Sequence, residues 1–238
     1  MLSLQTNNNI ESMKVGIIIA MDIEYNQMLN VLGGKPEGQA FGNDIILWHS
    51  GIGKVNAALG AMNLYLKHKP DCILSTGLAG GIDACLNVQD IIVGGQTAYH
   101  DVWCGEGNLK GQVQGMPARF EGNESLRKAA LSVADLKDNN HRIIEGLICT
   151  GDQFITNKES LSKIKADFPD GLACDMESAA IAHTCHMLNI PFLSVRIISD
   201  TPGNTENHQQ QWSDFLATMG NHSFRFMHHL LSLLPNTL

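Results

Sequence analysis

Residues 15–24 read Val15-Gly16-Ile17-Ile18-Ile19-Ala20-Met21-Asp22-Ile23-Glu24. The opening run, VGIIIA, is apolar at every position. It lacks the alternation of a strand with one wet face and so predicts a strand covered on both sides. Two acids follow, at the point where the chain leaves that apolar layer. Five further runs repeat the first half of the pattern: DIILWHS (44–50), DCILSTG (71–77), DIIVGG (90–95), IIEGLICTG (143–151) and PFLSVRIIS (191–199). Helical periodicity fills intervals near 22–33, 54–68, 124–136, 157–166, 177–189 and 212–234. Doubly buried strands alternating with helices imply an α/β fold: a single domain with a central mixed, mainly parallel β-sheet flanked by helices.

The chain has 238 residues, 44% hydrophobic and 17% charged, enough for one large domain of this kind, and no Pro/Ser-rich linker or charge block divides it. Residues 1–12, MLSLQTNNNIES, are polar and without pattern, so they are expected to form a disordered leader, with the domain spanning 13–238. A formal net charge of −8 with scattered Lys and Arg speaks against nucleic acid as a partner, because phosphate contacts require clustered positive charge. No apolar run approaches the roughly 18 residues of a membrane span, and no signal-like N-terminus is present, so no membrane partner and a cytoplasmic location are expected. The six cysteines include no CxxC pair and are expected to be reduced, mostly packed thiols.

In open α/β sheets, ligands bind beyond the carboxyl ends of strands. That rule selects AMDIE (20–24), SGIGK (50–54), TGLAGG (76–81), TGDQFI (150–155) and SDTPGN (199–204). In SGIGK, Gly51 and Gly53 open a helix whose free N–H groups suit either an anion or a tight strand-to-helix turn; the spacing of a nucleotide phosphate loop is missing. The three glycines of TGLAGG suit either a sharp turn or close approach of backbone to a flat ligand. His183 and His186 lie three apart on a helix without a third ligand at suitable spacing, so they read as packed histidines and no metal is expected.

The acids carry more information. Glu24, Asp175, Glu177 and Asp200 all fall at strand ends, where a partly buried carboxylate is costly without a partner. Each alone suits a helix cap or a first-turn acid. Four on one sheet edge suit cleavage of a glycosidic bond: one acid protonates the leaving group, one carboxylate activates water, and another accepts two hydrogen bonds from a vicinal diol. Glu24 and Asp200 fit the first two tasks and Glu177 the third, with Phe154 placed to stack on a base.

The ordered set AMDIE, SGIGK, TGLAGG, YHD (99–101), TGDQFI, DMESAAIAH (175–183) and RIISD (196–200) resembles the 5′-methylthioadenosine/S-adenosylhomocysteine nucleosidases of the purine nucleoside phosphorylase superfamily, from about Met13 to the C-terminal helix. The resemblance implies a nucleoside phosphorylase-like fold, a homodimer, no metal or other cofactor, and a purine nucleoside thioether as substrate. It implies that Glu24 activates the attacking water and that Asp200 protonates adenine at N7, with Ser199 orienting it. Glu177 then accepts the ribose diol and Met176 lines the sugar. Phe154 stacks on the purine, and the backbone of Ile155 reads its edge. Gly80 faces the nucleoside, Arg196 lies near the ribose and water, and Ile52 and Trp212 complete the substrate-facing set.

Two alternatives remain open at this level. A phosphate-dependent phosphorylase of the same fold needs a cradle of glycine and arginine, whereas AMDIE is acidic and holds no arginine. A non-catalytic nucleoside-binding protein is suggested by Leu78 and the rewritten segment 100–117, two of three departures from the family pattern. Leu78 stands where serine is usual, Asp175 where glutamate is common, and the segment HDVWCGEGNLKGQVQGMP (100–117) is rewritten. Trp103, Trp212 and Met116 are expected to form a bulky apolar pocket for the 5′ substituent.

Overall fold

The computed structural model describes residues 12–137, 139, 141–202, 207–218, 225–235 and 237–238, so of the expected leader only Ser12 is included. The elements in order are β1 (Lys14–Ile19), α1 (Asp22–Val31), β2 (Glu37–Ala40), β3 (Asn43–His49), α2 (Lys54–His68), β4 (Cys72–Gly81) and β5 (Ile91–Tyr99). Then come β6 (Phe120–Glu121), α3 (Glu124–Ser132), β7 (Ile143–Thr150), α4 (Lys158–Asp167), β8 (Gly171–Asp175), α5 (Ser178–Leu188), β9 (Phe192–Asp200), α6 (His208–Thr218) and α7 (Arg225–Leu233). All six expected strands are present. The glycine-rich TGLAGG is not a loop, however, but the second half of β4. The periodicity read as one helix over 212–234 belongs to two, α6 and α7, and α6 starts four residues earlier, at His208.

Among the described residues the nine strands form one sheet that closes on itself. Parallel pairs join β1 to β3 and β4, β4 to β9, and β7 to β5 and β8. Antiparallel pairs join β9 to β5 and the end of β4, at Gly80 and Gly81, to β8. The result is a ring of β4, β9, β5, β7 and β8, from which β1, β3 and β2 extend as an open wing. Each ring strand contributes one residue to a buried cluster, Ala79, Ile198, Ile92, Ile148 and Ala173, so this small ring is plugged by side chains.

Helices cover the sheet on two sides. Ala57, Ala61 and Leu64 of α2 and the Ala179–Ala182 run of α5 pack on one apolar cluster; Met28 of α1, Leu126 of α3 and Leu230 of α7 pack on another. Helix α5 is buried almost all round, as its apolar composition on every face requires. Both α2 and α5 end on a left-handed residue, Lys69 and Asn189, with Pro70 and Pro191 close behind to stop the helix. No helix among the described residues is long and apolar enough to cross a membrane.

Where the ring is not apolar, it holds one polar network. Residues two apart on a strand share a face, so Asp175 follows Ala173, Thr150 follows Ile148, and Arg196 precedes Ile198 on the same side. Arg196 Nε donates to Asp175 Oδ2 at 2.7 Å, with both side chains 2% exposed or less. Arg196 Nη2 donates to Ser75 Oγ on β4 at 3.0 Å, and Thr150 Oγ1 donates to Asp175 Oδ1 at 2.6 Å. Asp175 also accepts from the backbone N–H and the hydroxyl of Ser178, which caps the start of α5. One carboxylate therefore ties β7, β8 and β9 to α5. Replacing Asp175 with Ala would leave the Arg196 charge buried without its partner, a change that typically costs about 3–5 kcal/mol. Urea unfolding should show a loss of that size; wild-type stability in the variant would deny the network this role.

Candidate active site

The Asp175–Arg196 pair forms part of the wall of a cavity of about 290 Å³, reached by the ends of β1, β3, β4, β8 and β9 and by the loop after β7. The eleven residues that the family resemblance singles out all line it. Glu24 comes from the first turn of α1, Ile52 from the β3–α2 loop, and Gly80 from β4. Phe154 and Ile155 follow β7; Met176 and Glu177 lie between β8 and α5; Arg196, Ser199 and Asp200 belong to β9, and Trp212 to α6. Phe154 and Trp212 meet edge to face, their ring centroids 5.6 Å apart, and Phe154 is half exposed. Together they form an aromatic corner of the cavity.

Glu24 is held from two sides. As the third residue of α1, it reaches back to accept the Met21 N–H at 3.2 Å, which closes the helix start, while its other oxygen accepts the Leu78 N–H of β4 at 2.7 Å. Gly77 makes this approach possible, because a Cβ there would lie 3.0 Å from Glu24 Oε1. Burial pushes the Glu24 carboxyl up to about 7, against the opposing pull of the Leu78 N–H and the Arg196 charge. The Leu78 side chain packs against the larger apolar cluster, and its contribution to Glu24 is the backbone N–H.

Asp200, the last residue of β9, is 3% exposed and accepts from the neighbouring Ser199 hydroxyl at 2.7 Å. In the β4–β9 register it stands opposite Gly80. Glu177, 8% exposed, accepts the Gly53 N–H on Oε1 at 2.9 Å. Its carboxyl is raised by burial first and by the Asp175 charge second, with Arg196 and the Gly53 N–H opposing. Arg196 is the only cationic side chain among the described residues lining the cavity, and Asp175 already balances it. The remaining acids make the cavity favourable to developing positive charge and unfavourable to an anion.

Two expectations change here. The SGIGK loop does open a helix with amides suited to an anion, but the chain supplies the anions itself. Gly53 N–H binds Glu177, and Lys54 N–H binds Asp152 Oδ1 at 2.8 Å. Gly53, at φ +94°, holds a conformation that glycine adopts without strain. The expected 5′ pocket of Trp103, Trp212 and Met116 does not form as a set. Trp103 is 56% exposed with the Lys110 ammonium 4.9 Å over its ring, and Met116 packs towards the α2–α5 core, which leaves Trp212 at the cavity.

His183 is a packed residue, with Nδ1 3.2 Å from the Tyr99 hydroxyl and its ring stacked on Phe120. Sequence reading left out Ser75 and Thr150, whose hydroxyls hold Arg196 and Asp175. Their signal was available: a hydroxyl inside DCILSTG or GLICTG is buried and requires a partner.

The Phosphorylase superfamily profile matches residues 14–232. A 5′-methylthioadenosine/S-adenosylhomocysteine nucleosidase from Actinobacillus succinogenes is 42% identical over 199 residues, 79% of this chain and 86% of its own. Among solved structures, the Colwellia psychrerythraea nucleosidase in complex with adenine has a TM-score of 0.86 at 34% identity, covering 95% of this chain and 98% of that one. The Neisseria meningitidis nucleosidase in complex with methylthio-immucillin-A has a TM-score of 0.84 at 33% identity, covering 93% and 99%. Closed ring, acid-lined cavity and near full-length similarity coincide in one conclusion: the chain belongs to the 5′-methylthioadenosine/S-adenosylhomocysteine nucleosidase family of the phosphorylase superfamily.

Proposed function

We propose that the chain hydrolyses the N-glycosidic bond of 5′-methylthioadenosine and S-adenosylhomocysteine, and of related 5′-deoxyadenosine compounds, releasing adenine and the thioribose. The observation that carries this reading is a cavity bringing Glu24, Glu177 and Asp200 together, buried, with its one arginine already paired. Hydrolysis is favoured over phosphorolysis because the helix amides that could cradle phosphate are filled by Glu177 and Asp152.

In the proposed mechanism the purine stacks on Phe154, with the backbone of Ile155 at its edge. Asp200, oriented by Ser199, donates a proton to N7, and the electrons of the bond to C1′ move onto the base. The sugar becomes an oxocarbenium-like cation, stabilised by the surrounding carboxylates. Glu177 Oε1 is fixed by Gly53, so its carboxylate is aimed at the ribose diol, with Met176 against the sugar and Arg196 near ribose and water. Glu24 takes a proton from the water whose oxygen attacks C1′. Gly80 and Ile52 face the nucleoside, and Trp212 covers its 5′ side.

The same reading includes a homodimer and a cytoplasmic location. Exposed Val55, Leu59 and Leu66 form a stripe along α2 that continues into Ile52 at the cavity, an apolar face suited to a second copy. The six cysteines are free and four are buried, which suits a reducing compartment.

Purified protein in phosphate-free buffer should release adenine from methylthioadenosine; absence of adenine at micromolar enzyme rejects the activity, and strict dependence on added phosphate rejects hydrolysis. Asp200→Asn and Glu24→Gln should each lower turnover at least about 100-fold, since a general acid or base contributes about 10²- to 10⁴-fold. Glu24 must be ionised to accept a proton. With its carboxyl pushed up to about 7, the limb of kcat/KM set by Glu24 should therefore fall about tenfold per pH unit below that pH. A flat profile between pH 5 and 8 contradicts this assignment. For the dimer, Leu59→Glu should convert the wild-type species to monomers in analytical ultracentrifugation, and a monomeric wild type rejects the assembly.

A further inference from the structure

The charged residues of the recognised motifs that have no part in the mechanism above include Lys54 of SGIGK, Asp101 of YHD and Asp152 of TGDQFI. These three follow different strands, β3, β5 and β7, Lys54 as the first residue of α2, and meet in a closed cycle. Lys54 Nζ donates to both oxygens of Asp101, at 2.8 and 2.7 Å. Asp101 Oδ2 also accepts the backbone N–H of Asp152 at 2.9 Å, and Asp152 Oδ1 accepts the backbone N–H of Lys54 at 2.8 Å. The Lys54 and Asp101 side chains are only 22% and 19% exposed, and the ammonium also lies 5.6 Å over the Tyr99 ring. A cation shielded this far and divided between two oxygens of one carboxylate is held more firmly than a surface ion pair.

The cycle lies next in sequence to two groups of the cavity. Gly53, whose N–H fixes Glu177 Oε1, immediately precedes Lys54; Phe154 and Ile155 follow Asp152 by two and three residues. A side chain at Gly53 would crowd the same cycle, since a Cβ there would stand 3.1 Å from Asp152 Oδ1. The residues next to the diol acceptor's N–H donor and the stacking ring are thus linked to each other by contacts of Lys54, Asp101 and Asp152. Glu24 and Asp200 sit on different elements, α1 and β9.

We infer that Lys54 and Asp101 are positioning residues for substrate binding: they hold the SGIGK and TGDQFI loops so that Glu177 and Phe154 grip the ribose and base of one nucleoside together. This rests on the nucleosidase reading and extends it from the cavity to a third motif. A brace on the binding groups alone acts on KM, whereas a general loss of structure lowers kcat and thermal stability.

The test is steady-state kinetics on methylthioadenosine with Asp101→Asn, Lys54→Met, the double variant and Lys54→Arg. Each single variant should raise KM about tenfold with kcat within about threefold of wild type. The double variant should raise KM no further than either single one, because both remove the same bond. Lys54→Arg, which keeps the charge and the reach to Asp101, should return KM to within about threefold and serves as the folded comparison if Lys54→Met melts early. Unchanged KM in Asp101→Asn, or a loss confined to kcat, overturns the inference. If the wild type releases no adenine, the nucleosidase reading fails. The brace is then judged by calorimetric Kd for methylthioadenosine, which Asp101→Asn should still weaken about tenfold. Equal Kd values, or a wild type that binds none, overturn the inference as well.

Discussion

The structure depends on one buried ion pair, Asp175 with Arg196. Two charges withdrawn from water are tolerable only when each is matched and the remaining donors and acceptors are filled, and here Ser75, Thr150 and Ser178 fill them. The pair spans β8 and β9, which are not hydrogen-bonded neighbours but lie on either side of β4 in the closed ring. It therefore fixes the ring's interior at the end where the ring opens into the cavity. The start of α5 is fixed by the same carboxylate, and with it the position of Glu177. Shape and charge of the site are set together.

With Arg196 neutralised by Asp175, the protein can bury further carboxylates only by raising their affinity for protons or by giving them N–H donors. Glu24 and Glu177 show both, each raised by burial and each accepting from backbone amides. Arg196, already balanced by Asp175, offsets only part of the cost of ionising them. In the proposed mechanism a cation forming on the sugar relieves this, so the cost of burying them becomes differential stabilisation of the reacting state. The fold keeps that cost affordable by placing each acid at a strand end or helix start, where amides point outwards.

Much of this was legible in the sequence because it rests on local pattern. Doubly apolar runs located six strands, and the strand-end rule led to the AMDIE, SGIGK and TGDQFI segments that reach the cavity, though not to the connection after β8. What was not legible depends on closure. β8 is only five residues, GLACD, and its pattern merges with the acids that follow, so it escapes a periodicity search. Gly77 and Gly80 suggested a loop, yet they lie within β4, where Gly77 admits the Glu24 carboxylate. No spacing rule links Asp175 to Arg196 or Lys54 to Asp101; those pairs exist because the ring brings distant segments together. Trp103 and Met116 show the converse. Being bulky and apolar in the expected segment was not enough to place them in the cavity, since one faces solvent and the other the core.

The occupied amides at the start of α2 have a consequence for how such an enzyme can change. Glu177 and Asp152 act there as resident tenants of an oxyanion niche, and Glu177 is bound to the site for a second purpose. A lineage shifting towards inorganic phosphate as co-substrate could not simply add an arginine to the acidic AMDIE loop. It would first have to evict carboxylates that hold the loops in register, so eviction and loss of alignment would occur together. The water-using state is thus protected by a barrier of epistasis: the first step in either order costs function before the second can restore it.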